Sequence, residues 1–221
     1  MGRTISFATD EYYHIYNRGN DKRVIFQDEN DRRRFIHLLY LTNGINPIVV
    51  RDLYPSKVYT YERGEALVSI GAYCLMPNHF HILLRAKSPE GVSLFMRKLS
   101  TGYSMYFNLK YKRTGRLTEG PFKAVHIESD THLKYLFAYI HLNPLKLLEA
   151  NWKNTIAQIQ MNSHALQYLH SYPYSSFLDY TNVIRTENSI LTKEAFPDYF
   201  GTNGNFLEYI TEIYLTEDYP L

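Results

Sequence analysis

Met76-Pro77-Asn78-His79-Phe80-His81-Ile82-Leu83-Leu84 decides how the rest of the chain is read. An apolar run after a proline-asparagine turn signal reads as a strand, and alternate residues of a strand share a face. His79 and His81 therefore point to one side, and Phe80 points the other way into a core. That spacing lets two imidazoles converge on one ion, although two solvated or hydrogen-bonded histidines on a half-buried strand have the same pattern.

Working outward, Val68 to Leu75 is a second strand, and Pro77-Asn78 makes the pair an antiparallel hairpin. Glu11 to Arg18 alternates as a strand and stops at the turn formers Asn17-Arg18-Gly19-Asn20. Asp28 caps a helix running to about Leu41, with Phe35, Ile36, Leu38 and Leu39 as its apolar face and Arg32, Arg33 and Arg34 mostly outside it. Residues 43–66, carrying Pro47 and Pro55 without clear periodicity, read as an insertion or a long hairpin. Ser88-Pro89-Glu90 opens a long amphipathic helix through Val92, Phe95, Met96, Leu99, Tyr103, Tyr106 and Phe107. After turns at Gly115 and Gly120, Lys123 to Glu128 is a fourth strand, and Asp130 opens a helix that stops near Pro144.

The order βαββαβ plus a helix predicts an α+β fold: a ferredoxin-like sandwich with an antiparallel four-stranded sheet, an additional helix and C-terminal extensions. Helices would cover one face, leaving the other open for a ligand or a second subunit. The last helix, at the sheet margin, could lie across that open face. We expect one domain over residues 1–150, with the insertion at about 43–66, and a C-terminal extension, 151–221, packed on the same domain.

The net charge of the 221 residues is only +2, so a polyanionic partner must be argued from where the basic side chains lie. The single cysteine, Cys74, excludes an intramolecular disulfide framework and a cysteine-based zinc cluster. No signal-peptide pattern and no bilayer-length apolar run are present, which predicts a cytoplasmic protein without membrane contact.

Two further constellations carry chemistry. Tyr139 and Asn143 are four apart in the last helix, so both emerge on one face, away from the Leu133 and Phe137 stripe. A helix ending in asparagine with a tyrosine packed beside it would look the same. From Arg97 to Lys123, the basic residues Arg97, Lys98, Lys110, Lys112, Arg113, Arg116 and Lys123 face a single acid, Glu119. Tyr103, Tyr106 and Tyr111 are interleaved with them, a combination that suits phosphate neutralisation and base stacking in a single-strand groove. Arg18 is a further candidate phosphate contact.

Taken together, Tyr13 to Asn20 (Tyr-His-Ile-Tyr-Asn-Arg-Gly-Asn), Ala72 to His81 and Tyr139-Ile140-His141-Leu142-Asn143-Pro144 resemble the IS200-like single-tyrosine transposases of the HUH superfamily, in particular their REP-associated branch. Tyr103 to Tyr111, Gly120-Pro121-Phe122-Lys123 and Tyr172 to Phe177 extend the resemblance, which covers the chain from about Glu11 to Tyr180. It implies an enzyme that cleaves and rejoins single-stranded DNA through a 5′-phosphotyrosine intermediate. His79 and His81 match the family's metal-binding histidines, Asn143 its polar third ligand and Tyr139 its nucleophile. It also implies Mg2+ or Mn2+, hairpin-bearing DNA as partner, and a monomer or homodimer. Glu119 and Pro121 depart from the glutamine and arginine common in relatives, which alters a possible DNA contact.

Two other functions share these features. A ferredoxin-like sheet with exposed aromatics can hold single strands without catalysis. A metal-dependent phosphohydrolase would use water and leave Tyr139 structural.

Overall fold

The computed structural model describes residues 6–50, 53–148, 163–181, 183–199 and 206–216. β1 (Tyr12–Arg18), β2 (Val68–Met76), β3 (His79–Ala86) and β4 (Lys123–Ile127) form one antiparallel sheet in the order β2-β3-β1-β4. With α1 (Glu29–Leu41) and α2 (Gly91–Lys110) between the strands, this is the expected ferredoxin-like arrangement, with α3 (Asp130–Leu142) following β4.

The hairpin that carries the histidines is held from outside. Residues 19–26 clamp its turn, with the Ile25 and Phe26 amides donating to the Pro77 carbonyl and the Gly19 amide to that of Asn78. Gly19 suits this crossing because a Cβ there would lie 2.2 Å from the Arg23 carbonyl oxygen.

α1 and α2 cover one sheet face. Phe26, Phe35, Leu38, Phe95, Leu99 and Tyr103 pack there against Tyr13, Ile15, Phe80 and Ile82. α1 opens with a reciprocal capping box between Asp28 and Asp31, so its start is satisfied locally.

The second face is not left open, because the last helix takes the place across it that its position at the sheet margin allowed. α3 lies across it, burying Leu133, Leu136, Phe137 and Ile140 against Ala72, Cys74, Met76 and Leu83. The reason is visible in β2, which is buried at every position and therefore needs cover on both faces. The helix is fixed in place by His141. Its Nδ1 donates to the Phe137 carbonyl and its Nε2 accepts from the Ser176 hydroxyl at 2.7 Å. Burial holds this imidazole far below its ordinary pKa, at about 3, so it is neutral and structural.

C-terminal residues seal the remaining edge. The Leu75 amide donates to the Tyr174 carbonyl beside β2, and the buried Arg185–Asp179 pair ties the following turn to Ser175 and Tyr73. α4 (Ser163–Ser171) and α5 (Phe206–Thr216) join a second apolar cluster, in which Tyr214 stacks on Tyr135 of α3 at 5.4 Å. The expected 43–66 insertion is a loop closed at its base. Asn43 bonds Leu67 and Val68 there, and a 3-10 turn runs from Pro55 to Thr60. Residues 51–52 of that insertion, 149–150 at the end of the expected domain, and 151–162, 182, 200–205 and 217–221 of the expected C-terminal extension, lie outside the described residues.

Candidate active site

The strand register converges at one end of the sheet. Arg18 of β1 pairs with His79, Tyr16 pairs with both His81 and Lys123, and His14 lies two residues further along the same face. These side chains, with Asn17, Glu119 and Tyr139, line a cleft of about 210 Å³.

Within it the His79 and His81 rings are perpendicular with centroids 5.0 Å apart. Each has one nitrogen committed: His79 Nδ1 is 2.6 Å from Asn78 Oδ1, and His81 Nδ1 is 2.8 Å from His14 Nε2. His81 Nε2 is buried and has no hydrogen-bond partner among the described residues. Burial, reinforced by the charges of Arg18 and Lys146, pushes His79 down to about 4. Burial and its neighbours His14, His79 and Lys146 hold His81 well below the usual imidazole range. Both rings are therefore neutral at pH 7, the form in which imidazole donates a lone pair.

Tyr139 reaches this cleft from α3. Its ring meets His81 edge to face at 5.3 Å and lies 6.4 Å from His14. Asn143, one turn later, is fully buried and does not line the cleft, and neither its amide nitrogen nor its oxygen has a partner among the described residues.

An unpartnered buried polar atom costs about 1–3 kcal/mol, so the lone Nε2 of His81 and the bare Asn143 Oδ1 fit a cation that would satisfy them. Among the described residues no group of three or more His, Cys, Asp or Glu side chains could hold an ion. Any ion here would thus rest on two imidazoles, an amide and oxygens of water or substrate.

The model of one family, described as "Transposase IS200 like", matches residues 54–143, a span that contains His79, His81, Tyr139 and Asn143. Residues 54–143 are thus similar to IS200-like transposases. Among curated proteins none matches the chain. A solved structure of a REP-associated tyrosine transposase bound to a REP hairpin is similar in fold, with a TM-score of 0.51 at 11% identity. The match covers 85% of this chain and 90% of that one.

Around the IS200-like segment, the expected DNA-binding residues divide into those facing the cleft and those spent on the fold. Arg18 and Lys123 line the cleft, Lys123 lying 5.8 Å from the centre of the Tyr16 ring. Arg116 is exposed on a groove along α2, with Ser104, Asn108, Thr118 and Gly120. Lys112 is exposed, and Arg113 donates to Asn108. Arg97 is exposed in a separate groove beside Ile48 and Val50.

Four expectations are corrected. Tyr103 is a core residue whose hydroxyl donates to the Ile25 carbonyl, so it offers no face to a base. Lys98 donates to the carbonyls of Gly44 and Asn46, anchoring the insertion loop. Lys110 is paired with Asp28 and Asp31 at 2.7 Å, and the Tyr106 hydroxyl is bound to the same buried Asp31. These groups stabilise the α1–α2 layer, because a buried carboxylate requires both donors and a counter-charge.

The sequence reading missed His14, Tyr16, Asn17 and Lys146 as parts of the site. The first three stand inside the Tyr13 to Asn20 motif, and strand alternation alone places His14, Tyr16 and Arg18 on one face. Lys146 carried no such signal. Among the described residues no helix is long and apolar enough to cross a membrane.

Proposed function

We propose that this chain is a metal-dependent single-tyrosine transposase of the REP-associated kind, cleaving and rejoining single-stranded DNA at hairpin-bearing sites. The observation that carries the reading is the approach of the Tyr139 ring to His81 within a cleft flanked by Arg18 and Lys123. The family match to residues 54–143 supports DNA strand chemistry, and the hairpin in the similar structure suggests the form of the substrate.

In this mechanism Arg18 and Lys123 neutralise and hold the DNA backbone at the cleft. The Tyr139 phenol oxygen attacks phosphorus, forming the O–P bond of a 5′-phosphotyrosine as the bond from phosphorus to the 3′ oxygen breaks. The phenol proton passes to solvent, and the departing 3′ oxygen takes one up as a hydroxyl. A divalent ion, Mg2+ or Mn2+, held by His79, His81 and Asn143, would withdraw charge from the nonbridging phosphate oxygens and orient them for in-line attack. His14 keeps the His81 ring in the orientation that turns Nε2 towards the site. Since the phenoxide of an aryl phosphate ester is a good leaving group, another 3′-hydroxyl can reverse the step without a nucleotide cofactor, its proton going to solvent and the phenoxide regaining one.

The test is a labelled single-stranded hairpin incubated with protein and Mg2+ or Mn2+. We expect a denaturant-resistant protein–DNA adduct, absent with Tyr139→Phe or chelator. Cleavage without any adduct would favour the water-using phosphohydrolase, and tight binding without cleavage the non-catalytic module.

A further inference from the structure

Seven residues after Tyr139, the chain returns a cation to it. α3 ends at Leu142, and Pro144 starts a 3-10 turn, Asn143–Leu147, in which Leu145 is buried and Lys146 faces back along the helix. The Lys146 Nζ is 4.3 Å from the centre of the Tyr139 ring and donates a hydrogen bond to its hydroxyl oxygen at 3.1 Å. It lies outside the family-matched residues 54–143.

We propose that Lys146 is a catalytic residue, its ammonium hydrogen-bonding the Tyr139 phenol oxygen while that oxygen carries negative charge. The inference rests on the proposed role of Tyr139 as nucleophile. During attack the phenol loses its proton to solvent water, and the oxygen is partly anionic before the bond to phosphorus is complete. During rejoining the same oxygen leaves phosphorus with the bonding pair. Lys146 takes no part in the proton transfers and gives no proton to either product. It supplies a preorganised charged donor at the atom whose charge changes, the arrangement that electrostatic catalysis requires.

The contact has a second consequence. The ammonium contacts both the phenol ring and its oxygen, so it fixes the direction of the hydroxyl as well as its charge. A lysine engaged only with the ring face would donate no hydrogen bond to the oxygen and affect its reactivity far less, and this separates the two roles by experiment.

Two measurements on Lys146→Met and Lys146→Arg test the proposal. In the first, without DNA and with chelator present, Tyr139 is labelled by an aryl sulfonyl fluoride and the modified peptide is quantified by mass spectrometry. We expect labelling to fall about tenfold in Lys146→Met, the scale of one charge-assisted hydrogen bond, and to be largely kept in Lys146→Arg. In the second, single-turnover cleavage and rejoining of a hairpin substrate should both slow about 10²-fold in Lys146→Met, with substrate Kd and thermal midpoint unchanged. Lys146→Arg should recover most of that loss. Lys146→Met behaving as wild type in labelling would overturn the proposal. So would a loss of cleavage that Lys146→Arg fails to restore. If wild-type protein forms no adduct with DNA, the nucleophile reading fails instead, whatever the labelling shows.

Discussion

His14 Nε2 stands 2.8 Å from His81 Nδ1, joining two buried imidazoles on neighbouring strands. The rings stack with centroids 5.1 Å apart, so position and orientation are both set. If His81 Nε2 is to present a lone pair, its Nδ1 carries the proton and donates it to His14, which must then be a neutral acceptor. Burial holds His14 at about 3, with a further push from His132, so His14 is neutral at neutral pH, as that acceptor role requires.

Removing the acceptor should loosen the ligand. We expect His14→Ala to weaken Mn2+ binding by about 10–100-fold, the usual scale for losing a partner that orients a metal-binding histidine. Electron paramagnetic resonance titration of free Mn2+ measures this without DNA. Unchanged affinity would reduce the His14–His81 contact to packing.

The split among basic residues predicts different salt dependences. Arg18→Ala and Lys123→Ala, which remove cleft cations, should each lower the slope of log K against log salt by about one for single-stranded DNA. Lys98→Ala and Lys110→Ala should leave that slope unchanged, since those ammonium groups are already bound to carbonyls or carboxylates. Fluorescence anisotropy at several salt concentrations compares all four variants. Equal slopes for all four would contradict the assignment.

Asp31 is the centre of the opposite prediction. Its carboxylate has no exposed surface and accepts from the Gln27 amide, the Tyr106 and Tyr111 hydroxyls and Lys110. Replacing it with alanine removes the acceptor of the Gln27 amide and the two hydroxyls and leaves Lys110 only its Asp28 partner, a change that costs about 3–5 kcal/mol for a buried pair. Asp31→Ala should therefore unfold at much lower denaturant, whereas a fully folded Asp31→Ala of wild-type stability would mean the network contributes little.

These results show which parts of the molecule were legible from residues alone. The hairpin around Pro77-Asn78, the Asp28 cap and the Pro144 stop were readable because their signals are local, lying within one turn of the backbone they control. The covered second face was also encoded, in the two-sided apolar character of Val68–Met76, but it requires matching that strand to a stripe on α3 more than fifty residues later. Tyr103 shares its helical stripe with Leu99 and Phe107, so periodicity marks it as core, and its weight as a stacking residue came from composition. Lys110 gave no warning at all. Its acidic partner Asp31 is 79 positions away, and only the packing of α1 on α2 joins them.

The last prediction concerns how many chains make one site. Tyr139 and the histidine pair come together within a single copy, and α3 is fastened there by the His141–Ser176 bond and by the Tyr135–Tyr214 stack on α5. A helix held from both sides would have to break these contacts to serve another molecule. Mixing Tyr139→Phe with His81→Ala should therefore give no adduct beyond that of each variant alone, since no wild-type site can be assembled across chains. The readout is adduct formation on the labelled hairpin at protein concentrations high enough for any dimer to exchange. Recovery of a substantial fraction of wild-type adduct in the mixture would show that the nucleophile is supplied in trans, and that α3 leaves the cleft observed in this structure.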